Sequence, residues 1–429
     1  MAITNDTCGN NMTKSFKNNR GNNPTCSFCS IPKTKEVTII SGPGAVFICS
    51  NCVKISRELI RDGADAKKAL HKHAKTVPTP QQIKQHLDQY IIGQDQAKKR
   101  LSVAVYNHYR RLENSKNVKS NPDEVEIQKS NLLLIGPTGT GKTLLAQTLA
   151  KFLQVPFATA DATTLTEAGY VGEDVENIIL NLYRAAGENI EKTMRGIVFV
   201  DEIDKLAKKG TSSSAGRDVS GEGVQQALLK IIEGTMANIQ SKDQKRLGSA
   251  SPISIDTTNI LFICGGAFEG LDKIIEQRTG KGRIGFLQEA PVEEDRIVGE
   301  VSPEDLDRFG LIPEFVGRLP VIAAMTHLDQ VQLMDILTKP KNALVKQYQK
   351  LFREEKIQLN FTEEALVAIA QKAIERKTGA RGLRTILEEI MLDIMYEAPS
   401  EEGLQEVSIG VETVLEGQPP KCVYHAKIS

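Results

Sequence analysis

The chain has 429 residues, and its 54 Lys and Arg balance its 54 Asp and Glu, so the formal net charge is zero. This balance argues against a protein built to coat nucleic acid, so no nucleic-acid partner is expected. The longest apolar runs are far too short to cross a bilayer, and the first residues lack the apolar core of a secretory signal. We therefore expect a soluble, cytoplasmic protein without a membrane partner.

Composition divides the chain into five parts. Residues 1–24 are rich in Asn, Lys, Ser and Thr, which predicts a disordered leader. Residues 25–60 contain two cysteine pairs, and residues 61–80 are charged and end in two prolines, which predicts a linker. After it we predict a large α/β domain over residues 81–325 and a small, mostly helical domain over residues 326–429.

The cysteine pairs predict a metal site. Cys26 and Cys29 are followed after nineteen residues by Cys49 and Cys52, and the total number of cysteines is odd, seven. This spacing favours a tetrahedral four-thiolate zinc site over a disulfide framework. Such a short segment could hardly fold without the metal, and no open ligand position or neighbouring base is evident. We predict structural Zn²⁺.

From about residue 85 to residue 325, apolar strands alternate with helices. The predicted strands cover residues 131–136, 156–160, 196–201 and 259–264, and the helices cover 142–153, 175–187 and 223–234. Continuous apolar strands separated by helices predict a parallel sheet with helices on both faces. The fold class is therefore α/β.

The pattern changes after residue 326. Segments 328–352, 363–375 and 381–396 are predicted to be helical, and the last has one apolar face at three- and four-residue spacing. A strand-like tail follows at residues 406–411. These elements predict the small second domain.

The stretch GPTGTGKT, residues 136–143, matches the phosphate-loop pattern G-x-x-x-x-G-K-[ST] between a strand and a helix. Backbone amides of such a loop surround phosphates, its Lys142 side chain reaches the β- and γ-phosphates, and the Thr143 hydroxyl ligates Mg²⁺. The predicted ATP-binding residues are Gly136, Pro137, Thr138, Gly139, Thr140, Gly141, Lys142 and Thr143.

Two acids lie at the end of the third predicted strand, residues 196–201. Asp201 ends the strand IVFVD at the sheet edge that carries the phosphate loop, where it is placed to hold Mg²⁺. Glu202 comes next, where a base can polarise the attacking water. Asp201, Glu202 and Lys142 are therefore predicted catalytic residues of an ATPase.

Two apolar segments leave alternatives open. Ile92, in YIIGQDQ, is placed to pack on an adenine, although a core contact near a helix start fits the pattern about as well. Tyr170 and Val171 stand between glycines in EAGYVGED, which suits either an exposed loop or a tyrosine packed in a turn.

Together these motifs resemble the ClpX family of AAA+ unfoldases. The resemblance covers the chain from about residue 24 onward and rests on the order of these segments: the CxxC pairs, YIIGQDQAKK, GPTGTGKT, AGYVGEDVEN, VDEIDK, RDVSGEGVQQALLKIIEGT, ICGGAF, IGF, PEFVGRLP and KTGARGLR. It implies a homohexameric ring that uses ATP to unfold protein substrates, some brought by adaptors. The ring threads them through its pore into a ClpP-type peptidase, and it also acts as a chaperone alone.

The resemblance also assigns residues. Tyr170 and Val171 match the pore loop that grips the passing chain. Arg318 matches a catalytic arginine that reaches the nucleotide of a neighbouring subunit; its alternative is a surface ion pair. Arg381 matches an arginine that contacts nucleotide within its own subunit; its alternative is a surface charge at the start of a helix.

The tripeptide Ile284, Gly285 and Phe286 matches the loop that docks on the peptidase; its alternative is a short strand entering the core. Where the family commonly carries an Arg-Lys-His loop, residues 240–250 read QSKDQKRLGSA, which leaves recognition of the usual degradation tags open.

Three other functions remain as alternatives. A non-proteolytic remodeller would lack the peptidase. Neutral charge argues against a nucleic-acid motor or clamp loader, and the zinc module argues against an HslU-like unfoldase.

Overall fold

The computed structural model describes residues 25–29, 31–33, 37–42, 46–53, 77–114, 125, 127–166, 173–208, 221–239, 253–279 and 300–425. The chain forms two compact units, Met1–Thr76 and Val77–Ser429. The predicted leader and residues 61–76 of the predicted linker lie outside the described part. No helix within the described part is long and apolar enough to cross a membrane.

The first unit contains a short hairpin. Strands β1 (Ile39–Ser41) and β2 (Phe47–Cys49) pair antiparallel, with Ile39 opposite Cys49. A turn precedes them, in which Cys26 N donates to Ile31 O at 2.9 Å. The turn and the end of β2 together bring the two cysteine pairs to one place.

The second unit contains the remaining elements. Its strands are β3 (Leu132–Ile135), β4 (Phe157–Asp161), β5 (Leu165–Thr166), β6 (Glu173–Asp174), β7 (Ile197–Asp201), β8 (Met236–Ile239), β9 (Ile253–Asp256), β10 (Leu261–Gly266), β11 (Val321–Ala324), β12 (Gln358–Phe361), β13 (Leu404–Ile409) and β14 (Lys421–Tyr424). Its helices are α1 (Pro80–Asp88), α2 (Asp95–Asn114), α3 (Lys142–Leu153), α4 (Glu176–Ala185), α5 (Ile190–Thr193), α6 (Glu222–Glu233), α7 (Leu271–Thr279), α8 (Pro303–Phe309), α9 (Pro313–Gly317), α10 (Gln330–Thr338), α11 (Leu344–Glu354), α12 (Glu363–Glu375), α13 (Gly379–Glu397) and α14 (Val411–Glu416).

A parallel sheet organises the first part of this unit. The described strands run in the order β11-β3-β10-β7-β4, and every neighbouring pair is parallel. This confirms the predicted parallel α/β sheet. The edge strand β11 was not predicted, because its run Val321–Ala324 is short and half alanine.

Helices cover both faces of the sheet, as predicted. Along β3, Leu132 and Leu134 belong to the apolar cluster formed with α1, α2 and α3. Leu133 and Ile135 belong to the opposite cluster, which contains residues of α4, α6 and α8. Alternation along a strand sends successive side chains to opposite faces, so a strand apolar throughout is buried on both.

The second part of the unit, which runs from α10 to β14, has its own apolar core with residues of α10, α11, α12 and α13, whereas the first part comprises the elements from α1 to β11. The single helix predicted over residues 328–352 is wrong: α10 ends at Thr338 and α11 begins at Leu344, with Pro340 between them. Proline cannot donate the helical hydrogen bond and restricts the residue before it, which separates the helices. Strand β13 corresponds to the predicted tail, and it lies between β12 and β14 in a three-stranded sheet.

Candidate functional site

The phosphate loop lies at the carboxyl edge of the sheet. Residues 136–141 connect β3 to α3, and Gly136 N donates to Gly266 O at the end of β10 at 3.2 Å. Gly139 and Gly141 have φ angles of +82° and +97°, which glycine adopts without the steric cost of a Cβ. Thr140 Oγ1 donates to Pro137 O at 2.8 Å, which closes the loop on itself.

Lys142 begins α3 and is almost completely buried. Its ammonium donates to Gly136 O at 2.6 Å and to Pro137 O at 3.0 Å. Burial lowers the pKa of Lys142, against the opposing effect of the nearby Asp201 carboxylate. An ammonium carries three N–H donors, so one remains for a phosphate oxygen at the amino end of the helix.

A hydroxyl and a carboxylate meet beside this lysine. Thr143 Oγ1 donates to Asp201 Oδ2 at 2.9 Å, and Asp201 is the last residue of β7. Mg²⁺ prefers such oxygen ligands and usually takes few of them from the protein when it is bound to nucleotide phosphates. This pair therefore fits the predicted magnesium position.

Glu202 follows Asp201 with a left-handed backbone, φ +55°. Its N–H donates to Asp201 Oδ1 at 3.0 Å, and its side chain lines the same pocket as Lys142 and Thr143. Left-handed backbone at a residue other than glycine costs of the order of 1–3 kcal/mol and often occurs at functional sites. This conformation turns the backbone away from β7 at Glu202, the residue predicted to polarise the attacking water.

Arg381 brings the second part of the unit to the pocket. It lies in the first turn of α13 and lines the pocket together with residues of the phosphate loop. The contact is close, because Ala380 N donates to Gly139 O at 3.2 Å and a Cβ on Gly139 would lie 2.6 Å from Thr378 O. The phosphate loop and the start of α13 are thus in direct contact.

The pocket unites most of the predicted nucleotide residues and adds others. Predicted residues that line it are Thr138, Gly139, Gly141, Lys142, Thr143, Asp201, Glu202 and Arg381. Residues that the sequence did not identify are Leu144, Asp204, Lys205, Ala267 and Glu269.

Leu144 belongs to α3, and the other four additional residues follow the ends of two strands. Asp204 lies three residues after β7, is buried, and accepts a hydrogen bond from Ala267 N at 3.2 Å. Ala267 and Glu269 follow β10, whose carboxyl end lies between those of β3 and β7. Ligands of parallel α/β sheets bind outside the carboxyl ends of the strands. The position of Ala267 and Glu269 directly after β10 could therefore have identified them from the sequence.

The predicted loop residues Gly136, Pro137 and Thr140 do not line the pocket but belong to the same loop, and two predicted residues lie elsewhere. Ile92 is half-buried and is not among the residues that line the pocket. Arg318, at the end of α9, is also outside the pocket of its own chain. Its Nε donates to Glu233 Oε1 at 2.7 Å, and more than half of its side chain is exposed. The roles of both residues stay predictions.

Several predicted residues lie outside the described part of the chain. These are Tyr170 and Val171, the docking tripeptide Ile284, Gly285 and Phe286, and the segment 240–250.

The four paired cysteines form a compact metal centre. Their Sγ atoms all lie within 4.8 Å of one another; Cys26 and Cys52 are 3.9 Å apart, and Cys29 and Cys49 are 3.6 Å apart. Tetrahedral zinc with Zn–S bonds of about 2.3 Å requires sulfurs about 3.8 Å apart, so the residues fit Zn²⁺.

Backbone N–H groups favour the thiolate form of Cys26, whereas the neighbouring Cys29 side chain and burial raise the pKa of Cys52 to about 12. Burial raises the pKa of Cys26, but backbone hydrogen bonds from Phe28, Cys29 and Cys49 outweigh it and lower the pKa to about 6. Cys49 N–H, for example, points to Cys26 Sγ at 3.2 Å. Because zinc binds the thiolate form, these N–H groups prepare the site for the metal.

Comparison with known proteins gives consistent results along the chain. Residues 24–62 match the family model "ClpX C4-type zinc finger", residues 127–322 match "AAA domain (Cdc48 subfamily)", and residues 328–411 match "C-terminal, D2-small domain, of ClpB protein". The chain is 50% identical over 402 residues to the ATP-dependent Clp protease ATP-binding subunit ClpX of Treponema denticola. That alignment covers 93% of this chain and 95% of the relative.

Proposed function

Because this chain belongs to the ClpX family of AAA+ ATPases, we propose that it unfolds proteins with ATP and delivers them to a ClpP-type peptidase. The chain is an ATPase, and its cofactors are ATP, Mg²⁺ and Zn²⁺. The observation that carries the proposal is the meeting of Lys142, Glu202 and Arg381 in one pocket. Two parts of the unit joined by one nucleotide site can convert hydrolysis into movement.

Four residues of the pocket have a proposed task in hydrolysis. Lys142 binds the β- and γ-phosphates, and Thr143 and Asp201 hold Mg²⁺, which offsets phosphate charge. Glu202 accepts a proton from the attacking water as the γ-phosphate departs. This assignment rests on the adjacent positions of Asp201 and Glu202 at the end of β7.

The contact between Gly139 and the start of α13 suggests how hydrolysis is transmitted. Arg381 contacts the nucleotide from the second part of the unit, so loss of the γ-phosphate removes one of its charge partners. The second part then rotates about the segment that joins β11 to α10. In this way the nucleotide state sets the angle between the first and the second part of the unit.

A homohexameric ring explains the position of Arg318. This residue lies outside the pocket of its own chain and is more than half exposed, which supports a role at the γ-phosphate of a neighbour. Helix α13 also exposes apolar side chains, with Leu392 69%, Met395 39% and Tyr396 83% exposed. Three such residues on one helix suit an interface with a second copy of the chain.

Substrate handling is proposed from residues outside the described part. In a ring, Tyr170 and Val171 line the pore and grip a polypeptide without sequence preference, and Ile284, Gly285 and Phe286 dock on the peptidase. The zinc module binds adaptors and substrates. The ring also acts as a chaperone without the peptidase, and a cytoplasmic location stays a prediction.

A non-proteolytic remodeller is the second candidate. The observation in its favour is the sequence after Ile284, Gly285 and Phe286, which differs from the glycine-rich continuation usual in the family. Failure to bind a ClpP-type peptidase in the presence of ATP, with intact client unfolding, would favour it.

Replacing Tyr170 tests the proposed unfolding function. We expect Tyr170→Ala to lower the rate of client unfolding by at least about tenfold, while ATP turnover stays within about twofold. Folded domains resist with about 5–15 kcal/mol, so the ring must grip firmly through many strokes. The measurements are client fluorescence, ATP turnover and melting temperature of the same preparation.

Tyr170→Phe is the matched control, since it keeps the bulk and removes only the hydroxyl. It should unfold the client at close to the normal rate. A tyrosine packed in a core would behave differently: alanine would lower stability by about 3–5 kcal/mol and depress turnover and unfolding together. That outcome, or normal unfolding by Tyr170→Ala, would show that Tyr170 does not grip the substrate in the pore.

A further inference from the structure

The side-chain amide of Gln94 pairs with the main chain of a residue 232 positions away. Gln94 Nε2 donates to Thr326 O at 2.8 Å, and Gln94 Oε1 accepts from Thr326 N at 2.8 Å and from Thr326 Oγ1 at 3.4 Å. Gln94 is only 6% exposed, and its backbone is left-handed, φ +58°. Both amide atoms are thus committed to one residue.

Thr326 belongs to the connection between the two parts of the second unit. We define the hinge segment as residues 325–329, which join β11 to α10. Met325 N still donates to Ile135 O at 2.7 Å, whereas Thr326 lies beyond the sheet and takes its partner from Gln94. The Gln94 amide therefore replaces the strand neighbour that Thr326 lacks.

The hinge segment touches the phosphate loop directly. A Cβ on Gly136 would lie 2.6 Å from Met325 O, so only glycine allows this approach. A displacement of Thr326 would be transmitted through Met325 to the first residue of the phosphate loop. The hinge and the nucleotide pocket are consequently neighbours in space.

The segment before Gln94 holds the second part from the other side. We define the bracing segment as residues 89–94. Gln89 O accepts from Lys341 N at 2.9 Å, and a Cβ on Gly93 would lie 3.0 Å from Gln332 Nε2. The bracing segment therefore contacts the hinge at Gln94, and it contacts α10 and the loop after α10 at its other residues.

The bracing segment is itself anchored to the first part. The buried Lys98 of α2 donates to Ile91 O at 3.1 Å, and its Nζ forms an ion pair with Asp88. Ile91 is buried in the apolar cluster that α1, α2 and α3 form on the sheet. The bracing segment is therefore fixed to the first part at Ile91 and holds the hinge segment at Gln94.

We propose that Gln94 is a positioning residue for nucleotide binding: by fixing Thr326, it sets where the second part places Arg381 over the phosphate loop. This inference rests on the proposed contact of Arg381 with nucleotide. Gln94 does not itself line the pocket. Its effect on nucleotide affinity therefore passes through the hinge.

A purely structural role predicts something else. A buried amide with satisfied hydrogen bonds stabilises the fold, and its loss lowers the melting temperature whatever happens at the pocket. The proposal requires in addition that Gln94 and Arg381 are energetically coupled in nucleotide binding. A double-mutant cycle separates the two roles.

The test uses Gln94→Asn in the full-length chain. Asparagine tolerates left-handed backbone but is one methylene shorter, so it keeps the amide and loses its reach to Thr326. Gln82→Asn is the matched control, since Gln82 Oε1 also accepts from a main-chain N–H, but this is the N–H of Thr79 at 2.9 Å, within the cap of α1 rather than in the hinge segment. The probe is a fluorescent, non-hydrolysable ATP analogue with Mg²⁺, titrated well below the melting temperature of each variant.

We expect Gln94→Asn to raise the Kd of the analogue by about tenfold, and Gln82→Asn by less than about twofold. In an Arg381→Ala background, Gln94→Asn should add less than about twofold, because the residue it positions is gone. An equal loss in both backgrounds, or no loss in either, would overturn the proposal. If Arg381→Ala alone leaves the Kd unchanged, Arg381 does not contact the nucleotide. The proposal that Gln94 acts by positioning Arg381 is then also wrong.

Discussion

Glu202→Gln is expected to bind ATP with near-normal affinity and to lower kcat by about 10²–10⁴-fold, the usual contribution of a positioned base. Glutamine has the shape of glutamate but cannot accept a proton from water. The Thr143–Asp201 contact and Lys142 do not involve the Glu202 side chain, so phosphate and metal binding should persist. Steady-state turnover and the Kd of ATP, measured on one preparation, give both quantities.

Glu188→Gln is the matched control for this change. Glu188 is an exposed glutamate whose backbone is also left-handed, φ +58°, and it does not line the pocket. The control should hydrolyse ATP at the normal rate. Turnover by Glu202→Gln within about threefold of the normal value would show that another group activates the water.

Arg318→Ala is expected to lower turnover by about 10³–10⁵-fold, the range found for arginines that stabilise transferred phosphate from a neighbouring subunit. Nucleotide binding by each chain should persist, because Arg318 is outside its own pocket. Mixing Arg318→Ala with Lys142→Ala chains should restore part of the activity. In such a mixture some interfaces combine an intact pocket with an intact arginine.

The structure separates this effect from a loss of stability. The Arg318–Glu233 pair is largely exposed, and such surface pairs contribute only about 0–1 kcal/mol to folding. Arg376→Ala is a suitable control, because Arg376 forms a comparable exposed pair with Glu389 at 2.9 Å. A mixture that stays inactive at every ratio would argue against a role of Arg318 in the neighbouring site.

The parts of the site that the sequence predicted are those fixed by local chemistry. The segment GPTGTGKT needs glycine at its left-handed positions and a lysine at the start of α3, so its pattern alone identified the loop. Asp201 was predictable because a buried strand ends there. The four cysteines were predictable because metal geometry restricts their spacing.

The residues that the sequence missed depend on contacts between distant segments. Asp204 and Glu269 join the pocket only because β7 and β10 are neighbours in the sheet. The Gln94–Thr326 pair spans 232 positions and has no local pattern. The helical segment predicted over residues 328–352 also continued past Pro340, where the structure has two separate helices.

We propose that ATP hydrolysis by this chain drives protein unfolding. The most direct measurement follows the fluorescence of a stably folded client, fused to a permanently unfolded segment, in the presence of a ClpP-type peptidase that prevents refolding. With ATP, fluorescence should fall and client fragments should accumulate; with a non-hydrolysable analogue, or with the Glu202→Gln chain, the signal should persist. Undiminished client fluorescence during sustained ATP hydrolysis would show that hydrolysis by this chain is not coupled to protein unfolding.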